Sequence, residues 1–376
     1  MKPTVMLIGL GHLGGVVLEL LARAEIAGRI VACSRDRERG EARCRLARLG
    51  AMAQGFSPRI DHVAIDLEDT GRTAETIRRE RPDLILGTAT LMTWWLADLL
   101  PAKAAEPLRR ARFGAWLPVH LPLMLGLMQA ARQAGYEGVT LTAPFPDVVN
   151  PILARRGLAP TCGVGNLDEI IPKLRLLAAD RIGASPDAIR VTLVAHHALE
   201  PLAYGEGGGE LPPHHLRIEH EGEDVTERVG GEELLRAPCP LPSGPAWAFL
   251  TAGSSLRLID ALLARSGEEA YLHAPAPGGL PGGYPVLAGG GTVRPAPIDG
   301  LSLDQAIALN ERSHPFDGIE RIEEDGTAVF AEGTAGAMHE TLGFDCPRLA
   351  PHEAAARGRE LVDRFRQYAG RHGVRV

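Results

Sequence analysis

Over the first 143 residues, short runs of apolar and β-branched side chains alternate with longer stretches whose apolar positions recur every three or four residues. "TVMLIGL", "RIVACS", "HVAIDL" and "DLILGTA" read as buried strands, and "GGVVLELLARAE" and "AETIRRERP" between them as helices. This alternation predicts βαβ units and a parallel sheet, hence an α/β, doubly wound domain over residues 1–143. A helix is expected over Leu117–Ala134, with Pro118 in its first turn and Gly135 as its stop, and "GVTLTAP" reads as a further buried strand.

Beyond residue 144 the pattern changes. A helix ("LDEIIPKLRLLAADRIG"), a strand ("VTLVAHHALEP") and a Gly/Pro-rich loop ("GEGGGELPPHH") precede a long helix ("GPAWAFLTAGSSLRLIDALLARSG") and strands around "EAYLHA" and "GYPVLAGGGTVRPA". Residues 313–345 carry scattered β-prone pieces, and "APHEAAARGRELVDRFRQYAG" closes the chain as an amphipathic helix with Gly370 as its C′ residue. These elements predict a second, α+β domain over residues 144–376.

At 376 residues the chain accommodates two domains of about 100 to 200 residues each. Its net charge of -7, with Lys and Arg scattered, lacks the concentrated basic face that nucleic acid requires. The longest apolar runs fall short of the roughly 20 residues that span a bilayer, and the N-terminus shows no signal-peptide pattern, so a cytoplasmic protein acting on a small molecule is expected. The five cysteines are dispersed, with no CxxC, which argues against disulfides and a structural zinc site.

"MLIGLGHLGG" places Gly9, Gly11 and Gly14 in GxGxxG spacing between a strand and a helix. The glycines give a tight turn, close backbone approach to a pyrophosphate and close packing of helix on strand, so this Rossmann-type turn, with His12 and Leu13, is expected to hold a dinucleotide. At the end of the second strand, where a carboxylate ordinarily takes the ribose hydroxyls, stand Ser34 and Arg35, with Arg37 and Arg39 nearby. A hydroxyl and a planar guanidinium suit a 2′-phosphate, which favours NADP over NAD. The alternative puts Asp36 in the acidic role. Asp66 and Leu67, after the third strand, are placed to meet the adenine edge, or to begin a helix.

The paired histidines His196 and His197 invite a proton-transfer role, since a histidine acting near neutral pH profits from a carboxylate partner. Asp168 is the candidate, although an aspartate at a helix start also serves as a cap.

The order "VTLTAPFPDVVNPIL", "CGVGNLDEIIPKLRLLAADRIGASP", "VTLVAHHALEP", "WAFLTAGSSLRLIDALL" and "YPVLAGGGTV" resembles the lactate/malate dehydrogenase superfamily over most of the chain. The resemblance implies a Rossmann domain followed by a catalytic domain, a dimeric or tetrameric assembly, and a catalytic histidine at His197, fourteen positions after Gly183, oriented by Asp168. The family's substrate-carboxylate arginine has no clean counterpart; Lys173 and Arg175 stand nearest. Ala143 replaces the nicotinamide-side asparagine, for which Asn150 is the stand-in, while Pro144 and Asp147 keep the pattern. The loop after the fourth strand is apolar and aromatic, with arginines only at 109, 110 and 112, and Trp94, Trp95 and Trp116 suggest a bulkier or less charged substrate than a small dicarboxylate. His120 is a second candidate near the nicotinamide, and Thr251 and Ser254 are candidate substrate contacts.

The expected activity is hydride transfer between a nicotinamide and a secondary alcohol or ketone, with His197 as acid and base. Three rivals stand beside it: an NAD- and metal-dependent glycosidase-like enzyme using Cys162 and His197, an opine- or saccharopine-type amine dehydrogenase, and a non-catalytic NADP-binding sensor. No metal is expected in the preferred reading, because only two soft ligands are visible and a catalytic metal usually has three protein ligands.

Overall fold

The computed structural model describes residues 2–205, 209–242, 244–264 and 266–375; residues 206–208 of the Gly/Pro-rich loop lie outside them. The first half runs β1 (Thr4–Ile8), α1 (His12–Leu21), β2 (Arg29–Ser34), α2 (Arg37–Met52), β3 (Ile60–Ala64), α3 (Thr70–Glu80), β4 (Leu84–Gly87), α4 (Ala102–Arg110), α5 (Leu117–Ala134), β5 (Val139–Thr142), α6 (Pro146–Arg155) and β6 (Cys162–Gly163). Its six strands form one parallel sheet in the order β3-β2-β1-β4-β5-β6, the doubly wound order expected of a dinucleotide fold. The sixth strand pairs with β5 through Leu141 and Cys162, so the sheet continues past the expected join at residue 144.

Because successive strand residues face opposite ways, each strand feeds two cores. Met6, Ile8, Val31 and Ile85 pack with α3, α5 and α6 on one face. Val5, Leu7, Ile30 and Leu86 pack with α1 and α2 on the other.

The second half comprises α7 (Leu167–Ile182), β7 (Ile189–Val194), α8 (Glu200–Ala203), β8 (His215–His220), β9 (Glu223–Asp224), α9 (Gly231–Arg236), α10 (Ala248–Leu263), β10 (Ala270–Pro275), β11 (Gly283–Gly289), β12 (Thr292–Pro295), α11 (Leu303–Ser313), β13 (Ile319–Ile322), β14 (Ala328–Phe330), α12 (Glu332–Leu342), β15 (Arg348–Leu349) and α13 (Ala354–Arg371). Strands β7-β8-β9, β10-β11-β12 and β13-β14-β15 make three small antiparallel sheets, the α+β character expected. Only α7, β7, β8 and α9 close on a core of their own. Residues from α10, β10 and β11 complete one face of the parallel sheet, and the C-terminal segment from Ile319 completes the other, where Phe365 of α13 meets Trp116 edge to face at 5.5 Å. Helix α13 runs through Gly370 to Arg371, one residue beyond the expected stop.

Two helical stretches, Phe113–Ala134 and Gly244–Leu263, are long and apolar enough to cross a membrane by length and composition. The first is 83 % buried, with α3 and α13 against it, and the second lies along α1.

The turn from β1 to α1 depends on two of its glycines for different reasons. Gly9 has φ +105°, and its missing Cβ would come within 2.7 Å of the Ala89 backbone nitrogen; a Cβ on Gly14 would sit 1.7 Å from the Gly9 carbonyl oxygen. A Cβ on Gly11 would meet nothing within 4 Å, and its φ of -69° suits any residue. Gly14→Ala is therefore expected to destabilise the protein by about 1–3 kcal/mol through forced overpacking, and Gly11→Ala to leave stability within about 0.5 kcal/mol. Urea unfolding of the two variants beside the wild type measures the difference; equal losses would contradict this account of the turn.

Candidate active site

The C-terminal ends of β1, β2, β4 and β5 open on one side of the sheet, where doubly wound folds bind ligands. A cavity of about 1000 Å³ lies there, large enough for a dinucleotide and a second small molecule. One end is lined by Gly9, Gly11, His12, Leu13, Ser34, Arg35, Asp36, Arg39, Arg43, Asp66 and Leu67, which brings together nearly all the residues expected to hold a cofactor. Gly14 lies behind them, packed against the Gly9 carbonyl.

Helix α1 begins in this cavity with no side chain capping its first amides, leaving donors at the positive end of the helix facing the space over Gly11. That combination fits a pyrophosphate. Around the end of β2, Ser34 hydrogen-bonds to the carbonyl of Asp36 at 3.1 Å and to His62 Nε2 at 2.9 Å, while Asp36 caps α2 by accepting from the Arg39 amide at 3.0 Å. Asp36 thus acts as the helix cap, and Ser34 is held by protein partners. Arg35 and Arg43 have no ion-pair partner among the described residues, and both line the cavity. The Arg43 guanidinium lies over Gly15, where a Cβ would be 2.5 Å from its Nη1, a neighbour that the spacing of acidic and basic residues did not reveal.

At the other end of the cavity the two histidines separate. Strand β7 ends at Val194, and His196 and His197 occupy the tight turn that follows, so alternation along a strand does not govern them. His196 is buried, its Nδ1 accepts from the Ala198 amide at 3.3 Å, and its ring meets His314 edge to face at 5.1 Å. Burial, with the neighbouring His314 and His197, pushes its pKa well below the ordinary value. His197 lines the cavity, and its Nδ1 lies 2.7 Å from Asp317 Oδ2. Burial works against the imidazolium, yet the charge and hydrogen bond of Asp317, with Asp147 and Glu169 adding to them, leave the His197 pKa raised overall.

Asp168 does not meet His197. Burial raises its carboxyl pKa, and it faces Arg257 at 3.8 Å, with Ser254 and the His273 backbone beside it. One residue along a helix turns the side chain by about 100°, so it is the next residue, Glu169, that reaches the cavity. Asp317, the carboxylate that does orient His197, lies 120 residues away in the turn before β13.

Other expectations also shift. Lys173 is buried, with Nζ donating to the carbonyls of Ala203 and Leu235, and burial takes its pKa down to about 8. Arg175 pairs with Asp187 at 2.8 Å and with the Pro186 carbonyl. Both are committed to the scaffold, and neither lines the cavity. Asn150 is fully buried in α6, accepting from Thr142 Oγ1 at 2.7 Å, and Ser254 turns to Asp168, so only Thr251 of that pair lines the cavity. Trp94 and Trp95 line the cavity, while Trp116 is a core residue. Arg109, Arg110 and Arg112 do not line it; Arg109 lies 4.0 Å from Asp98. Cys162 is buried in the core beneath the sheet, its thiol pKa pushed up by burial, and is not among the lining residues, which separates it from His197.

His120 does reach the site. It lines the cavity and is 3 % exposed, neither ring nitrogen has a hydrogen-bond partner among the described residues, and burial takes its pKa down to about 3. Phe113 lies between the two imidazoles, 5.5 Å from His120 and 4.4 Å from His197. Beneath them Asp147, whose pattern position was kept, is buried, with Asn166 donating to it, and burial moves its pKa up to about 7.

Two further carboxyls line the cavity beside His197. Glu169 accepts from the Trp247 indole at 2.7 Å and from the Asn166 amide at 3.1 Å. Glu200 has Oε2 3.8 Å from His197 Nε2. The two carboxyls lie close enough to act on one another, and burial raises both pKa values. Glu200 stands three residues after His197 in "HHALEP", so one signal for it was present in the sequence.

No family model matches the chain, and no curated protein matches it. Solved structures do. A malate dehydrogenase from Cryptosporidium parvum superposes with a TM-score of 0.56 at 14 % identity, covering 84 % of this chain and 97 % of its own. A lactate dehydrogenase from Eimeria maxima, solved with NADH and oxamate, gives 0.55 at 14 % identity over 84 % and 92 % of the two chains. A Plasmodium falciparum malate dehydrogenase gives 0.55 at 12 % identity over 96 % and 99 %. The sheet order, the cavity at the strand ends and these superpositions agree: the chain has the fold of the lactate and malate dehydrogenases.

Proposed function

We propose that the protein is an NADP-dependent oxidoreductase acting on a secondary alcohol or its ketone, with His197 as the proton-transferring residue. The observation that carries this reading is the His197–Asp317 pair, a 2.7 Å contact at one end of a cavity whose other end is a glycine turn opening a helix. Gly9, Gly11 and the first amides of α1 would hold the pyrophosphate. A bound nicotinamide accepts or donates the hydride.

The chain's own share is positioning and proton transfer. With Nδ1 engaged by Asp317, Nε2 is the nitrogen left for substrate. In oxidation it takes the hydroxyl proton, and the imidazolium formed is stabilised by the Asp317 carboxylate; in reduction it returns that proton to the carbonyl oxygen. Asp317 acts through His197 and is a positioning residue. Phe113, Phe145 and the indoles of Trp94 and Trp95 give the cavity apolar walls that limit water at the reacting end.

NADP is favoured because no free carboxylate stands at the end of β2, where Asp36 caps a helix, while the guanidinium groups of Arg35 and Arg43 are unpaired among the described residues. The buried position of Cys162 weakens the metal-dependent rival, and a sensor would leave the braced imidazole without a use.

A panel of secondary alcohols and 2-hydroxy acids assayed with NADP and NAD in parallel tests the reading. Arg43→Ala is expected to raise KM for NADP about tenfold, roughly 1.4 kcal/mol, with KM for NAD little changed; a preference for NAD in the wild type would sink the cofactor assignment. His197→Ala is expected to lower kcat about 10²–10⁴-fold.

The pH dependence has a definite sign. Oxidation needs neutral His197, so its rate rises with pH through the raised pKa, while reduction needs the imidazolium and falls over the same range. Asp317→Asn removes the charge that raises this pKa, so both limbs are expected to move to lower pH as the maximal rates fall. pH–rate profiles that keep their midpoints in this variant would show that Asp317 does not govern His197.

A further inference from the structure

Resting on that reading of the site, the geometry points to a donor-binding subsite beside His197: the Glu169–Glu200 carboxyl pair takes an ammonium or hydroxyl substituent next to the reacting carbon and excludes a carboxylate. The two side chains come from the start of α7 and the turn after His197 and are 2 % and 8 % exposed. The Trp247 indole and the Asn166 amide fix Glu169, and Thr251 on α10 lines the same cavity. Glu200 Oε2 is 3.8 Å from the nitrogen of His197 that meets substrate, so a substituent on the carbon adjoining the reacting one falls within its reach.

The charges facing this point are of one sign. Asp147 and Asp317 lie behind His197, and among the described residues the only Lys or Arg side chains lining the cavity, Arg35, Arg39 and Arg43, are at the β2 end. Lys173, the nearest sequence candidate for a carboxylate grip, is held by two backbone carbonyls. A substrate carboxylate would therefore enter with no Lys or Arg among the described residues to meet it and against buried carboxyls, a large penalty away from water.

An independent observation in the same cavity also indicates a polar ligand. His120, 3 % exposed and kept neutral, has both ring nitrogens without a partner among the described residues, and buried polar atoms of this kind are usually satisfied. A substrate with hydroxyl or ammonium donors supplies what His120 and the carboxyl pair lack. An ammonium offsets negative charge on the pair, whereas a hydroxyl donates to one of its oxygen lone pairs.

Three alcohols of one carbon skeleton separate the possibilities: lactate, 1,2-propanediol and 1-amino-2-propanol, assayed with the wild-type protein and NADP. The amino alcohol or the diol is expected to exceed lactate in kcat/KM by about tenfold or more. Glu200→Gln then identifies the donor, since an ammonium substrate loses about tenfold with the charge whereas a diol changes less. Lactate as the best of the three, or unchanged ratios in Glu200→Gln, would overturn the subsite.

If none of the three and none of the wider alcohol panel turns over with either dinucleotide, the activity itself is refuted, and the subsite is then read by binding alone. Pyruvate, hydroxyacetone and aminoacetone are titrated against the NADPH-loaded protein, with quenching of tryptophan fluorescence as the readout. Tighter binding of hydroxyacetone or aminoacetone supports the subsite; equal binding or a preference for pyruvate overturns it.

Discussion

The contact on which the site depends is the one between His197 and Asp317. An imidazole inside a protein tends to lose its proton, and a lone carboxylate there is costly; set together at hydrogen-bond distance, each removes the other's penalty. The pair also ties the turn after β7 to the segment leading into β13, elements that belong to different parts of the second half and share no sheet. His196 lies beside the same carboxylate, its Nδ1 3.5 Å from that oxygen while accepting from the Ala198 amide. The tandem histidines thus straddle one acid, one ring lining the cavity and the other in the core.

Around that centre the chain places its charges by distance. Basic groups collect where β2 ends, and acids collect where β7 ends, at opposite ends of one cavity. The arrangement follows from the doubly wound sheet, whose strand ends line up in a row while the loops beyond each strand are free to differ in character. A fold shared with lactate and malate dehydrogenases fixes where the row lies; the loops decide what each end of it attracts.

Much of this was legible in the sequence. The parallel sheet announced itself through alternating strand and helix periods, helix Leu117–Ala134 was bounded by its own proline and glycine, and the GxGxxG turn lay where two of its glycines, Gly9 and Gly14, were sterically required. The family resemblance singled out His197, and its ring does line the cavity. What escaped was whatever depended on the direction of a side chain or on distant segments meeting. Asp168 and Glu169 are neighbours in sequence and point to different environments, Lys173 is turned into the scaffold, and Asp317 belongs to a stretch with no periodic pattern to mark it. The sixth strand, two residues long, is too short to carry a period at all.

The separation of His197 and Asp317 by 120 residues also bears on how the protein comes into being. Contacts between residues so far apart form late in folding, because the intervening chain must first lose its freedom. As the chain leaves the ribosome, the glycine turn and its helix are complete within the first few strands, whereas the imidazole waits for the last quarter of the sequence before it has a partner. The segment from Ile319 that follows Asp317 also closes one face of the parallel sheet, so the acid arrives with the residues that seal that core.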